Sequence, residues 1–211
     1  MIKNIIFDLS EVIISGYHGT DKLIEKKYSI GAKQFYKRKA EKNELFLNLM
    51  RGNLKEEEYW NELMKGMNWN ITVEDLKTTI RQNLNQPITG TMEIIKQLKG
   101  KYHLILLSDH VKEWMTYIEQ NNQEICIFDT KIFSYEIGSV KSDKRTFRTV
   151  LDRTQIIADE TLFIDDYNIN IKRAEEVGIN GIVFKNAEQL QKDLDLRLKH
   201  KSYSSFNEID R

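Results

Sequence analysis

Five short apolar runs constrain the fold of this chain more than any other feature of its sequence. They cover residues 4–7, 104–107, 131–134, 161–164 and 181–184. Within each run the apolar residues are continuous and do not alternate with polar ones, which indicates strands that are buried on both faces. Such strands are typical of a parallel sheet with helices on each side. The runs therefore predict an α/β fold built on a parallel sheet.

Helical patterns lie between the later four runs. Apolar residues recur three or four positions apart in 111–120, 143–153 and 170–177, and a last pattern at 186–198 follows the fifth run. Strands and helices that alternate through right-handed crossovers build a Rossmann-like open, doubly wound sheet. In such a sheet a ligand binds in the crevice outside the carboxyl ends of the strands.

The interval between the first and second runs does not follow this alternation of strands and helices. Residues 15–87 show no convincing strand but four helical patterns, at 23–38, 41–50, 55–65 and 73–83. Thr72, with Asp75 three residues later, predicts a capping box at the start of the fourth. The charged run at 55–58 is typical of a solvated helix start. We therefore expect an inserted four-helix cap (15–87), an α/β core (1–14 and 88–200) and a polar C-terminal tail (201–211).

The composition excludes several classes of protein. With 211 residues, 40% of them hydrophobic, the chain can bury a real core. The 32 basic residues balance the 32 acidic ones, so nothing in the net charge recruits nucleic acid or an acidic membrane. The N-terminal apolar stretch is interrupted by Asp8 and is too short for a signal peptide or a spanning helix. A soluble, cytoplasmic protein is expected.

A single cysteine limits the covalent and metal chemistry of the chain. Cys126 has no second cysteine to pair with, which excludes an intramolecular disulfide and a thiolate metal cluster. It has no basic partner nearby in the sequence, so we expect a small buried hydrophobic side chain and not a nucleophile.

Polar residues that suit phosphate chemistry follow four of the five runs. They are Asp8 and Ser10, Ser108 and Asp109, Lys141, and Asp165 and Asp166. Carboxylates that lie within a few ångströms of each other repel unless a cation compensates them, and Mg²⁺ prefers oxygen ligands. Lysine supplies a point charge for phosphate. The pattern predicts a crevice for a divalent cation and a phosphoryl group, with Asp8 placed to attack phosphorus.

These segments resemble the motifs of the haloacid dehalogenase superfamily of hydrolases, in particular its small phosphatases with a helical cap after the first strand. The matching segments are Ile-Ile-Phe-Asp-Leu at 5–9, Leu-Leu-Ser-Asp at 106–109, Gly-Ser-Val-Lys-Ser-Asp at 138–143, and Phe-Ile-Asp-Asp at 163–166 with Asn170 beyond it. They occur in the family's order, each near a predicted strand end. The resemblance extends to about residue 190.

The resemblance implies a nucleophile and a magnesium site. Asp8 would become an aspartyl phosphate and would also give one oxygen to the metal. Asp166 would be the principal side-chain ligand of Mg²⁺, and Asp165 would assist it directly or through water. Asn170 would order this loop, and the backbone carbonyl of Ser10 would complete the ligands.

The resemblance also implies how the substrate is held. Ser108 and Lys141 would bind the transferring phosphoryl group, and Lys141 would offset the clustered carboxylates. Asp109 follows Ser108 into the crevice and is a candidate substrate contact, while His18 and Arg51 are candidates from the cap. The implied partner is a small phosphorylated metabolite. A monomer is the default expectation, with a dimer as the alternative.

One position departs from the family pattern. Its phosphatases usually have a second aspartate two residues after the nucleophile, which protonates the leaving oxygen and later activates water, whereas this chain has Ser10. A serine hydroxyl cannot act as a general acid near pH 7, and losing such a group typically costs about 10²- to 10⁴-fold in rate. Glu11 is a candidate substitute, although successive side chains that leave a strand point apart.

Three hypotheses about function therefore stand at this stage. The favoured one is a Mg²⁺-dependent phosphatase that acts through an aspartyl phosphate. A 2-haloacid-type dehalogenase is an alternative, but its chemistry needs no metal and the pair Asp165 and Asp166 argues against it. A catalytically weak protein that binds a phosphorylated ligand or a partner is the third, and Ser10 supports it.

Overall fold

A five-stranded parallel sheet organises the fold. The computed structural model describes residues 1–198, and the predicted tail at 201–211 lies outside this range. The strands are β1 (Asn4–Phe7), β2 (His103–Ser108), β3 (Thr130–Phe133), β4 (Thr161–Asp165) and β5 (Asn180–Val183). Their order is β3-β2-β1-β4-β5, and all neighbours run parallel. The predicted open parallel sheet is confirmed, with β1 at its centre.

Both faces of the sheet are buried, as the continuous apolar runs predict. Ile5 and Phe7 belong to one hydrophobic cluster, and Ile6 belongs to a second cluster on the opposite face. Successive side chains of a strand point to opposite faces, so a strand covered on both sides needs apolar residues at every position. Burying each such side chain stabilises the fold by about 1.5–3 kcal/mol.

The insertion, residues 15–87, forms helices between β1 and β2. The structure describes this whole segment and shows α1 (Thr20–Tyr28), α2 (Ala32–Glu41), α3 (Asn43–Met50), α4 (Glu56–Met64) and α5 (Val73–Asn83). The prediction of four helices is wrong, because the pattern at 23–38 is two helices. Ser29 adopts a left-handed backbone (φ 57°) that ends α1, and α2 starts after Gly31. The predicted capping box of Thr72 and Asp75 is confirmed, with each side chain bonded to the other residue's N–H at 3.1 Å.

Further helices pack on the sheet. They are α6 (Thr91–Leu98), α7 (Lys112–Asn121), α8 (Ser134–Ile137), α9 (Thr146–Thr154), α10 (Asn168–Glu175) and α11 (Ala187–Leu198). The four helical patterns after the second run correspond to α7, α9, α10 and α11, whereas α6 and the single turn α8 were not predicted. Across residues 1–198, no helix combines the length and apolar character that crossing a membrane requires.

Cys126 corrects one expectation from the sequence. Its side chain is exposed and not buried. It lies in a 3-10 helix, Gln123–Ile127, in which Ile125 is the residue buried against the core. Neighbouring positions of so short a turn point in different directions, and burial of Ile125 leaves Cys126 in solvent.

A buried polar cluster joins the insertion to the core. The Glu56 carboxylate on α4 accepts hydrogen bonds from the indole N–H groups of Trp60 (3.3 Å) and Trp114 (2.7 Å). It also accepts two from the Arg81 guanidinium on α5, at 3.1 and 2.6 Å. Glu56 is 2% exposed, so the expectation of a solvated run at 55–58 is wrong at this position. Because Trp114 lies on α7, the Glu56 cluster fixes the insertion against the core.

Candidate active site

The carboxyl ends of three neighbouring strands bring polar side chains together. Asp8 follows β1, Ser108 ends β2 and Asp165 ends β4, and β1 lies between the other two. The Asp8 N–H donates to the Ile164 carbonyl at 2.9 Å, which continues the pairing of β1 with β4. Strand order reverses at β1, and this is where open α/β sheets bind ligands.

Lys141 bridges two of the carboxylates at this point. Its Nζ lies 2.7 Å from Asp8 Oδ1 and 2.6 Å from Asp165 Oδ2, and its side chain is buried. Burial alone lowers the pKa of Lys141, but the charges of Asp165, Asp8 and Asp109 outweigh it and raise that pKa above its ordinary value. Lys141 therefore stays protonated at neutral pH.

The carboxylates of Asp8, Asp165 and Asp166 outnumber the cations around them. Each offers an oxygen within 4.8 Å of the other two. Burial raises the pKa of Asp8 well above its ordinary value, and the charges of Asp165 and Asp166 add to this effect while Lys141 opposes it. One ammonium cannot neutralise three carboxylates, and carboxylate oxygens are ligands that Mg²⁺ prefers. These residues fit a divalent cation.

Asp165 and Asp166 differ in how the protein holds them. Asp165 accepts hydrogen bonds from the Tyr167 N–H (2.8 Å) and from the Asn170 side-chain amide (3.0 and 3.2 Å), in addition to Lys141. No other residue in the described part of the chain donates to the Asp166 carboxylate, which is half-buried. Asp166 is therefore the carboxylate with its lone pairs available to a ligand, and Asp165 is fixed by its donors.

Ser108 and Asp109 have different surroundings although they are adjacent. The Ser108 hydroxyl is buried and has no hydrogen-bond partner among the described residues. An unpaired buried hydroxyl costs about 1–3 kcal/mol, which a ligand that pairs with it would recover. Both oxygens of Asp109 accept from the Lys141 backbone N–H at 2.9 Å, so Asp109 positions the loop that carries Lys141. Burial raises the pKa of Asp109 to about 6.

The turn after β1 places Ser10 and Glu11 differently. Ser10 packs against Gly16, where an added Cβ would lie only 2.7 Å from the Ser10 Cβ, so a glycine is needed there. Glu11 has a left-handed backbone (φ 61°), and its carboxylate accepts from the Gly16 N–H at 2.8 Å. This bond fastens the turn, and it does not favour Glu11 as a substitute acid.

Arg51 links the insertion to the loop of Lys141. Its guanidinium donates to both oxygens of Asp143, at 3.1 and 2.8 Å. The same carboxylate accepts from the Val140 N–H at 3.1 Å, and the Arg51 bonds are the main cause that holds the pKa of Asp143 below its ordinary value. Arg51 thus contacts the loop and does not line the cavity described next.

A cavity of about 280 Å³ opens beside Ser10 and Asp109, between the insertion and the core. One wall is a stack of aromatic rings, in which the Tyr17 centroid lies 5.6 Å from that of Phe46 and 5.3 Å from that of Trp114. Trp114 belongs to the core, and Tyr17 and Phe46 belong to the insertion. Both parts of the molecule therefore contribute walls to the cavity.

Polar side chains line the remainder of this cavity. Ser10 and Asp109 lie on the side of the core, and His18, Asp21 and Lys39 lie on the side of the insertion. The sequence indicates His18 as a candidate, whereas it gives no signal for Lys39. A lysine within a helical pattern carries no signal of which face it occupies when the helices themselves are not separated.

The chain is similar to known proteins over most of its length. It is 26% identical to D-ribitol-5-phosphate phosphatase of Bacteroides thetaiotaomicron, over 94% of this chain and 99% of that one. A haloacid dehalogenase family enzyme of the same organism, in complex with magnesium and inorganic phosphate, matches with a TM-score of 0.75 and 24% identity, covering 88% of this chain and 96% of that one. The structure of a haloacid dehalogenase-like family hydrolase from Porphyromonas gingivalis matches with a TM-score of 0.76 and 23% identity, covering 95% of this chain and 100% of that one.

A family model covers most of the described chain. The model described as haloacid dehalogenase-like hydrolase matches residues 5–184, a segment that includes the residues around Asp8 and all five strands except Asn4, the first residue of β1. The resemblance seen in the sequence motifs is therefore confirmed: the chain belongs to the haloacid dehalogenase-like hydrolase family.

Proposed function

We propose that this hydrolase is a magnesium-dependent phosphatase that acts on a small phosphorylated metabolite through an aspartyl phosphate on Asp8. The observation that carries the proposal is the contact of Lys141 with Asp8 and Asp165, beside an Asp166 carboxylate that the protein leaves available. The curated relative named a phosphatase and the similar structure that holds magnesium and phosphate support the same chemistry.

In the first step Asp8 attacks phosphorus. Its Oδ1 accepts from the Leu9 N–H at 2.7 Å and lies 2.7 Å from Lys141 Nζ, so Oδ2 is the oxygen that forms the bond to phosphorus. The bond between phosphorus and the leaving oxygen breaks, and the released alkoxide or phenoxide takes a proton from water. Lys141 and the unpaired Ser108 hydroxyl interact with the phosphoryl oxygens, where negative charge is spread in the transition state.

The family resemblance implies which residues would bind the metal. Asp8 and Asp166 would hold Mg²⁺ together with the Ser10 carbonyl, and Asp165 would support them from its fixed position. Bound Mg²⁺ would neutralise charge on the phosphoryl oxygens. Asn170 keeps Asp165 in place, and Asp165 in turn holds the Lys141 ammonium beside Asp8.

In the second step water attacks the phosphorus of the aspartyl phosphate, which restores Asp8 and releases inorganic phosphate. Ser10 stands where the family usually has the acid and base for both steps, and its hydroxyl does not titrate near neutral pH. The lack of a general acid should therefore slow the hydrolysis of substrates with good leaving groups, such as acyl or aryl phosphates or a sugar 1-phosphate, less than that of simple alkyl phosphates. The phosphorylated form of Asp8 should accumulate during turnover.

Hydrolysis of an aryl phosphate, with Mg²⁺ and with a chelator, tests this proposal. The native chain should turn over only with Mg²⁺, Asp8→Asn should be inactive, and Ser10→Asp should be faster than the native chain. Asp152→Asn, which alters an exposed carboxylate on α9, is the matched control and should behave as the native chain does. Equal turnover with chelator, or an active Asp8→Asn, would contradict the proposal.

A second candidate function is binding of a phosphorylated ligand without efficient turnover, and Ser10 is the observation that favours it. In this case the native chain would be inert towards aryl phosphate while Ser10→Asp gains activity. The dehalogenase hypothesis is not favoured, because displacing halide from carbon needs no metal and does not explain the excess of carboxylates over cations around Asp8.

A further inference from the structure

Lys39 lines the cavity together with Asp21, but the two residues do not form an ion pair. It is half-buried on α2, and its Nζ lies 3.7 Å from the centroid of the Tyr17 ring and 5.2 Å from that of the Phe46 ring. Among residues 1–198, no carboxylate oxygen lies within 4.0 Å of this ammonium. The aromatic rings provide a cation–π contact but no counter-charge.

Arg38, the neighbouring cation on α2, makes different contacts from Lys39. Arg38 donates to the backbone carbonyls of Leu63 and Lys65, at 2.8 and 3.0 Å, and so joins α2 to the end of α4. Lys39 has no comparable structural contact in the described chain. Burial lowers the pKa of Lys39 to about 8, against the opposing charge of Asp21. A bound anion would compensate the partial desolvation of this ammonium.

The cavity indicates the kind of group that Lys39 would meet. The Tyr17 hydroxyl, on the ring beneath the ammonium, is buried and has no hydrogen-bond partner among the described residues. The cavity volume of about 280 Å³ holds roughly ten non-hydrogen atoms, at about 30 Å³ for each water-sized group. Its aromatic wall suits a flat or apolar body, and one ammonium matches the single charge of a carboxylate.

We propose that Lys39 binds a carboxylate on the leaving group of the substrate, at the end remote from the phosphoryl group. This assignment rests on the proposed phosphatase function. The cavity is lined by Ser10 and Asp109 next to the phosphoryl site and by Lys39 on the insertion. A substrate that fills it presents its phosphate to Asp8 and its other end to Lys39. The substrate class is therefore the phosphate ester of a small hydroxy acid.

A matched pair of substrates tests the assignment. The leaving groups of 4-carboxyphenyl phosphate and 4-carbamoylphenyl phosphate have nearly the same shape and differ by one charge. The native chain should prefer the carboxylate by roughly 10- to 100-fold in kcat/KM, mainly through KM, since a charge-assisted hydrogen bond contributes that much. Lys39→Met should bring this ratio close to one, and Lys39→Arg should retain most of it. Lys33→Met, at an exposed position of the same helix, should keep the native ratio.

Binding to the Asp8→Asn chain separates this proposal from the phosphatase proposal. Calorimetry with the same two compounds and Mg²⁺ should show tighter binding of the carboxylate, and adding Lys39→Met should remove the difference. A native preference near one, or a preference that Lys39→Met leaves unchanged, would overturn the role of Lys39. If the native chain hydrolyses neither compound but the binding preference depends on Lys39, the phosphatase proposal fails and the carboxylate site stands.

Discussion

The Glu56 cluster and the residues around Asp8 are both buried and charged, but the protein completes only the first. The Glu56 carboxylate is matched by the Arg81 guanidinium and by two indole N–H groups. Around Asp8, the single ammonium of Lys141 faces three carboxylates, and the Ser108 hydroxyl has no partner in the described chain. A cluster that the protein completes holds the fold together, whereas an incomplete one is suited to a ligand that completes it.

Replacing Lys141 is the strongest test of this difference. Lys141→Met removes the one cation among the three carboxylates and one donor to the phosphoryl group. We expect kcat for an aryl phosphate to fall by about 10²- to 10³-fold at saturating Mg²⁺, the usual cost of losing one such donor. Lys144→Met, at an exposed position three residues on, is the control and should retain native kcat. A Lys141→Met chain with more than about a tenth of native kcat would argue against the role of Lys141.

Replacing Glu56 should affect stability and not chemistry. Glu56→Gln leaves the Arg81 guanidinium without its counter-charge, and breaking a buried pair in this way costs about 3 kcal/mol. For a chain of this length, the melting temperature should fall by roughly 6–12 °C. Glu57→Gln, on the same helix with a side chain 70% exposed, should cost less than about 1 kcal/mol. Thermal unfolding measures both, and equal shifts would show that the Glu56 cluster does not stabilise the fold.

Magnesium should stabilise the native chain because it completes the residues around Asp8. A ligand that binds only the folded state at 100 times its Kd adds about 2.7 kcal/mol to the free energy of unfolding. The gain should be much smaller in Asp166→Asn, which loses the carboxylate that the protein leaves available, and undiminished in Asp152→Asn. Chemical denaturation with and without Mg²⁺ measures this gain. A full gain in Asp166→Asn would place the cation elsewhere.

The sequence predicts the core of the molecule better than the insertion, for a physical reason. A strand covered on both faces requires a continuous apolar run, so the positions of β1, β2 and β4 follow from local composition. Their carboxyl ends must meet at one edge of the sheet, which brings Asp8, Ser108 and Asp165 together without any knowledge of distant contacts. Fixed topology therefore predicts that these three side chains lie together at one edge of the sheet.

The insertion is less predictable because its helices are placed by contacts between distant residues. The burial of Glu56 depends on Trp114 and Arg81, which lie 58 and 25 residues away, and its exposed neighbours Glu57 and Glu58 have the same chemistry. Periodicity likewise continues across the break between α1 and α2, so it predicts one helix where Ser29 ends the first. The face of α2 that carries Lys39 was therefore undetermined.

The pH dependence of KM is the smallest effect expected, and it depends on which groups face Lys39. Asp21 on α1 raises the pKa of Lys39 through its charge, whereas burial lowers it to about 8. Burial also raises the pKa of Tyr17 well above its ordinary value, so this phenol stays neutral. Burial lowers the pKa of His110 to about 4 and raises that of Asp109 to about 6, so both titrate below the range of interest.

Lys39 is therefore the group in the cavity wall whose charge should change just above neutral pH. Below pH 8 it is protonated and binds the carboxylate of 4-carboxyphenyl phosphate, and above pH 8 it loses that charge. KM for this compound should rise by up to about tenfold between pH 7 and pH 9, as expected for one titrating group with this pKa. Lys39→Arg keeps its charge over this range, so its KM should stay nearly constant. 4-Carbamoylphenyl phosphate, which lacks the carboxylate, reports any contribution from groups other than Lys39, and a parallel rise in its KM would show that the pH dependence arises outside Lys39.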